Sequence, residues 1–543
     1  MKKSLLIFLS ILAASSIATT FRRSLERVAS MDPLRSTSLC DVTAIALVYE
    51  PLLSVDYYHT PYKLTSALCD LPVISDDGLT YTFKIKSDSY FHANECFKDG
   101  KGRKVVADDI VYSLKRLGDK KNASSGMWIM NCVTNVHAID ERTVEINLSK
   151  PSHIFPWLMA LPYTGVTPRE AVEKYKGSFG SNPVGSGPYK LTSWRRNHTM
   201  NFSRNEDWPG WNNERSFSFD NTTGKKSSGK LFEKVTYSVI DDVTTQWLMF
   251  LSGEIDYLAT VPRDNWDAVI GKDGKLLPSV AKKGIVLHEN PTLTAMYIGI
   301  NMEDPLLGKN KKLRQALNCA FDFNAWNKFF NNRISPLDSP LPEGVPGKVN
   351  GEFKYSYNPE KAKQLLKEAG YENGIDPKTS RRLVIHVAVG RATQDAREQM
   401  ELFQSFYDRI GINIEPDYMT WDAYLKAINE KRVSMFLIGW VGDYPDAENF
   451  LQLFYSKNIS PGSNHSNYSN PEFDRIYNRA MGERDEKARN VLWAQAQRII
   501  LEDCPWIFLH TPKNCSLIRK KINGYQAGDF VYGMEKHLRL SDD

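Results

Sequence analysis

An α/β fold is predicted from three features of the chain: a strand, a helix and a second strand in close succession, a repeated helix-entry device, and enough apolar residues for more than one core. At 543 residues, 42% of them hydrophobic, the chain exceeds one ordinary domain, and two or three are expected.

The elements follow in chain order. MKKSLLIFLSILAASSIATT opens with two lysines, carries an apolar run and ends on small residues, Ser16 and Ala18, at the −3 and −1 positions of a cleavage site. That is the pattern of a secretory signal peptide over 1–18, and its run falls short of the roughly 20 apolar residues that span a bilayer. No cysteine lies beside the cleavage point, so a lipid anchor is not indicated and a free periplasmic protein, starting at Thr19, is expected.

Further along, Asn358 and Pro359 mark a helix start and Gly370 its stop, and Asn470 with Pro471 repeats the device. LVIHVAV (383–389) reads as a strand. QDAREQMELFQSFYDRI (394–410) reads as a helix with Met400, Phe403, Tyr407 and Ile410 on one stripe, and INIEPDY (412–418) as the next strand. Together they make a βαβ unit of a covered sheet. Val433 to Ile438 is a short apolar run of strand length.

Residues 437–450, LIGWVGDYPDAENF, carry the functional signal. Pro445 forbids continuation of the strand, so Asp443 is expected on the loop past its end, where open α/β sheets bind ligands. A carboxylate beside Trp440 suits an ammonium group. On residue types alone an acidic loop capping a strand is an equal reading.

This stretch resembles the oligopeptide- and dipeptide-binding family of extracytoplasmic solute-binding proteins, in which the aspartate of a G-W-x-x-D segment receives a peptide's α-ammonium. Gly439, Trp440 and Asp443 match it, and Trp421 stands nineteen residues before Trp440, as in the family. The resemblance runs along most of the chain: DPLRSTSLCDVTAIALVYEPLLS (32–54), Leu79 to Phe83 with Phe91 and His92, Val106 to Ile110 with valine in place of the usual threonine, PVGSGPYKLTSW (183–194), SGEIDY (252–257) and NPEFD (470–474).

The resemblance implies a type II periplasmic-binding-protein fold, two Rossmann-like lobes joined by a hinge plus an extra α/β lobe. Lobe I would comprise 19–55, 183–275 and 481–543, lobe II 56–182 and lobe III 276–480, with the ligand between lobes I and III. Asp443 would fix the peptide's N-terminus, and Trp440 and Trp421 would wall side-chain pockets. The backbone of Gly439, Trp440 and Val441 would pair with an extended peptide on one side, and Ser38, Leu39 and Cys40 on the other. Arg391 stands one residue off the register of a carboxylate-binding arginine. A solvated loop arginine is an equal reading there, and Arg397 is a competitor. Gly185 and Gly187 are read as tight backbone positions, since no G-x-G-x-x-G helix entry follows.

The implied function is the solute-binding component of an ABC importer that closes on peptides, or another amine-bearing solute, and hands them to a membrane permease. A monomer is expected. The alternative is a secreted hydrolase of peptides or glycans, but the sequence has no G-x-S-x-G, Walker or zincin motif, and acid pairs such as Asp446/Glu448 and Asp241/Asp242 read as solvated loop residues rather than a catalytic dyad. Seven cysteines (Cys40, Cys69, Cys96, Cys132, Cys319, Cys504, Cys515) without C-x-x-C spacing and ten dispersed histidines argue against a metal site, and no cofactor is expected. Export permits disulfides whose pairing the sequence leaves open. A net charge of +5 without a basic block gives no nucleic-acid signal. The polar segment 219–230 reads as an exposed loop.

Overall fold

The computed structural model describes residues 18–541 except 60–61, 213–228, 272–273 and 530–531. The expected leader before Ala18 and residues 219–228 of the expected polar loop lie outside the described residues.

Three segments far apart in sequence build the first sheet region. Thr20–Leu25 pairs in parallel with Lys234–Val239, which pairs with Thr199–Arg204 and through it with Tyr189–Arg195. Tyr257–Leu258 joins this block to the last long strand, Trp506–Arg519. A separate four-stranded sheet, Val73–Ile74, Thr80–Lys84, Thr143–Leu148 and Val133–Asp140, packs against the helix Ala107–Gly118. That helix lacks the family's threonine cap. Instead the Asp109 carboxylate accepts the Val106 N–H at 3.0 Å and pairs with Arg103 at 2.8 Å, which satisfies an otherwise orphaned donor.

The third block is a sheet covered on both faces, as its parallel part requires. Asn413–Tyr418 and Val384–Val389 run parallel to the first part of Met435–Val441, and Thr294–Ile300 lies antiparallel on the far side of it. The predicted stripe Met400, Phe403, Tyr407 and Ile410 is buried in one core, and Phe436, Phe473 and Tyr477 are buried in the other. Asn358 and Asn470 cap their helices through their side-chain oxygens, as the Asn-Pro pairs predict. The strand predicted over Val433 to Ile438 instead covers Met435–Val441. It runs past Gly439 because its partner continues to Thr294, which faces Val441.

Two strands cross between the first and third blocks side by side. Ile285–Pro291 pairs with residues 513–519, and Thr294–Ile300 pairs with residues 506–510 of the same long strand. The Thr292 N–H donates to the Pro512 carbonyl at 2.9 Å between the two ladders. The helix Glu486–Asp503 buries Trp493, Ala496 and Ile500 in the core of the third block. We therefore place the crossings near 291–294 and 510–513, where the expected boundaries were 275/276 and 480/481. Helix periodicity shows which face is apolar but not which core receives it.

The glycines of PVGSGPY hold the backbone against the end of the helix Leu39–Val48. A Cβ at Gly185 would fall 2.1 Å from the Val48 carbonyl oxygen, and the Gly187 N–H donates to that oxygen at 2.8 Å. All seven cysteines are described, and all are free thiols.

Candidate functional site

The site is built on the far end of Met435–Val441. Its pairing with Val384–Val389 stops at Leu437, whereas its pairing with Thr294–Ile300 continues to Val441. The Gly442 N–H donates to the Leu293 carbonyl at 2.7 Å, so even-numbered residues turn their backbone groups toward Thr294–Ile300. Strand alternation then leaves the N–H and C=O groups of Gly439 and Val441 at a free edge. A Cβ at Gly439 would fall 2.3 Å from the Met296 sulfur, so glycine stands there to accommodate packing.

Trp421 borders this edge. It opens the helix Trp421–Asn429, is 54% exposed, and its ring stacks on Tyr424 with centroids 5.4 Å apart. Tyr424 in turn donates to the Leu437 carbonyl at 2.6 Å, which fixes the helix against the end of the strand. Arg391 lies just past Val384–Val389 and donates to the Gln399 side-chain oxygen at 3.1 Å. Arg397 lies over the Tyr418 ring, 4.6 Å from its centroid, at the same carboxyl end of the parallel pair.

The loop after the strand carries three acids, and the structure treats them differently. Asp446 is buried and meets Nε2 of His153, from the four-stranded-sheet lobe, at 3.2 Å. Burial pushes its carboxyl up, but the histidine contact, the Glu448 N–H and Arg489 together hold it below the ordinary carboxylate range. Glu448 is buried and accepts the hydroxyls of Tyr444 at 2.6 Å and Tyr477 at 2.8 Å, with burial raising its carboxyl. The expectation that Asp446 and Glu448 are solvated is thus corrected: the loop folds inward, and both are structural groups.

Asp443 alone of the three has no cation or hydroxyl partner among the described residues. Water reaches its side chain, yet burial holds its carboxyl above the ordinary range, opposed by a bond from the Asn449 side chain. Both hold for a group facing a water-filled space enclosed by protein. That space is a cavity of about 640 Å³ between the third block and the four-stranded-sheet lobe, lined by Trp440 and Asp443 on one side and by Trp128, Ile154 and Leu158, of the expected lobe II rather than lobe I, on the other.

Asn449 organises the corner. Its Oδ1 accepts both the Trp440 indole N–H at 3.0 Å and the Asp443 N–H at 3.2 Å. Sequence reading passed it over. The available signal was an amide in the helix Ala447–Leu451, whose five residues are all buried. Tyr163 is raised by burial and then by Asp443, with a smaller effect from Asp41.

That start corrects a second expectation. Leu39–Val48 is helical, capped by Ser38, whose Oγ accepts the Asp41 N–H at 3.1 Å. Leu39 and Cys40 therefore lie inside a helix, and only Ser38 of the three keeps extended backbone. The helix starts here because Asp41 also accepts the N–H groups of Ala29 at 2.7 Å and Thr37 at 3.0 Å, fixing the incoming chain.

Two blocks that share a pair of crossing strands, and a cavity where a carboxylate without a cation stands past a free strand edge, define a solute-capturing protein of the type II periplasmic-binding class. The chain belongs to the bacterial extracellular solute-binding proteins, family 5, whose model matches residues 63–462. It is 28% identical over 497 residues to heme-binding protein A of Haemophilus influenzae, covering 88% of this chain and 84% of that one. It is 27% identical to di/tripeptide-binding protein 2 of Pseudomonas aeruginosa over 91% of this chain and 90% of the other. The solved structure of HbpA2 from Haemophilus parasuis matches at 25% identity with a TM-score of 0.81, covering 96% of this chain and all of that one. The first two of these are binding proteins by name.

Proposed function

We propose that the protein captures peptides by their free N-terminus and delivers them to the permease of an ABC importer. The observation that carries this reading is Asp443: of the three acids in its loop it alone has neither a cation nor a hydroxyl partner among the described residues, and it stands at the end of a strand edge whose backbone groups are free. An ammonium there would gain a short charge-assisted contact, and the main chain of Gly439 and Val441 would add the ligand as a further strand, reading backbone rather than side chains. Trp440, Trp421 and Ser38 border the ligand, and Arg391 or Arg397 is the reading for a group that meets its carboxylate. Lobe closure about the two crossing strands would follow from contacts that only the closed form makes.

The protein works outside the cytoplasm as a monomer, exported by the leader at 1–18. It is a binder and not a hydrolase. The names of its relatives support that reading, and one of them names di- and tripeptides. Calorimetry with unmodified tripeptides tests it: one-to-one binding with the peptide recovered intact is expected, and release of cleavage products would overturn it.

A further inference from the structure

A second carboxylate approaches Asp443 across the strand crossing, from the C-terminal segment. Asp529, in the C-terminal segment, accepts the Leu293 N–H through Oδ2 at 2.9 Å, and the Leu293 carbonyl accepts the Gly442 N–H at 2.7 Å. One residue of the lobe crossing is thus bonded on its N–H to Asp529 and on its carbonyl to the residue preceding Asp443. Tyr532, whose hydroxyl has no hydrogen-bond partner among the described residues, is raised by burial and then by both Asp443 and Asp529. The two acids are thus linked through Leu293, and both raise the same tyrosine.

Among buried acids elsewhere, Asp32 is matched by Arg116 at 2.6 Å, Asp109 by Arg103 at 2.8 Å and Glu535 by Arg23 at 3.3 Å, while Asp41 and Glu448, without a cation, are each held by two or more N–H or hydroxyl donors. Asp529 has no cation among the described residues. Burial raises its carboxyl to about 6, with the Leu293 N–H opposing, so at neutral pH it is mostly ionised and uncompensated. A partly buried charge held this way is costly until a cation arrives.

We propose that Asp529 is a specificity residue that selects ligands with a second cationic centre, such as a peptide whose first residue is basic, the α-ammonium going to Asp443 and the side-chain cation to Asp529. This rests on the reading of Asp443 given above. Asp443 itself lines the cavity and stands past the free strand edge, so the acids do not stand alone. Asn at 529 keeps an oxygen for the Leu293 N–H and removes only the charge.

Calorimetry with Lys-Ala-Ala and norleucine-Ala-Ala on the full protein separates the two readings. Wild type is expected to bind the lysine peptide at least tenfold more tightly. Asp529→Asn is expected to bind both alike, with its norleucine affinity within threefold of wild type, and Asp529→Glu to retain the preference. Norleucine binding without discrimination by wild type, or discrimination that survives Asp529→Asn, overturns the role of Asp529 and leaves Asp443 untouched. Failure of wild type to bind either peptide overturns the peptide reading itself, and this inference with it. Should Asp529→Asn not fold, the wild-type ratio and the Asp529→Glu variant still decide.

Discussion

Replacing Asp443 by Asn removes the proposed ammonium partner while keeping the size of the side chain and leaving the loop's bonds in place. The Asp443 N–H to Asn449 contact is backbone, and Trp440 holds the same acceptor independently. Truncating one partner of a desolvated charge pair costs about 2–5 kcal/mol, largely because the other charge is stranded. Asp443 is reached by water in the ligand-free cleft, so a stranded ammonium could keep part of its hydration. The lower end applies: about 2–3 kcal/mol, or about 30- to 150-fold in Kd. The discriminating assay is a cycle, with free and N-acetylated forms of one tripeptide titrated into wild type and Asp443→Asn. Acetylation removes the cation, so it should weaken binding to wild type by a similar factor and change little in the variant. An acetylation penalty equal in both proteins would show that Asp443 does not read the amine.

Other outcomes follow from the same geometry. Asn449→Ala leaves the Trp440 indole and the Asp443 N–H without their shared acceptor, which costs about 1–3 kcal/mol of stability; denaturant titration should show this, together with weaker peptide binding that keeps the acetylation penalty. Gly439→Ala drives a Cβ into the Met296 sulfur, an overpacking of about 1–3 kcal/mol, and thermal unfolding should show partial rescue by Met296→Ala. The lysine-over-norleucine preference should fall by up to about tenfold between pH 7 and pH 5, because a carboxyl raised to about 6 is ionised above that pH and protonated below it; both peptides carry the α-ammonium, so titration of Asp443 cancels in the ratio. A preference unchanged by pH would rule out Asp529 as its source.

What the sequence determined is local. Asn358 before Pro359 and Asn470 before Pro471 start helices because a side-chain oxygen and a fixed φ act within one turn, and the stripe Met400, Phe403, Tyr407, Ile410 declares its buried face through periodicity alone. Asp443 was legible as a loop acid because Pro445 stops any strand. Tertiary structure decided the rest. The strand continues through Trp440 because its partner reaches Thr294, and Leu39 and Cys40 are helical because Ser38 and Asp41 collect N–H groups on both sides of the helix start. Among Asp443, Asp446 and Glu448 the sequence offers three equivalent acids. A histidine about 290 residues away and two tyrosines, one of them 29 residues on, partner the latter two. Likewise Asp529 and Asp443 come together only through Leu293, since a carboxylate's role depends on which cations and donors the fold brings within a few ångströms, and that pairing between distant segments is written in no local pattern.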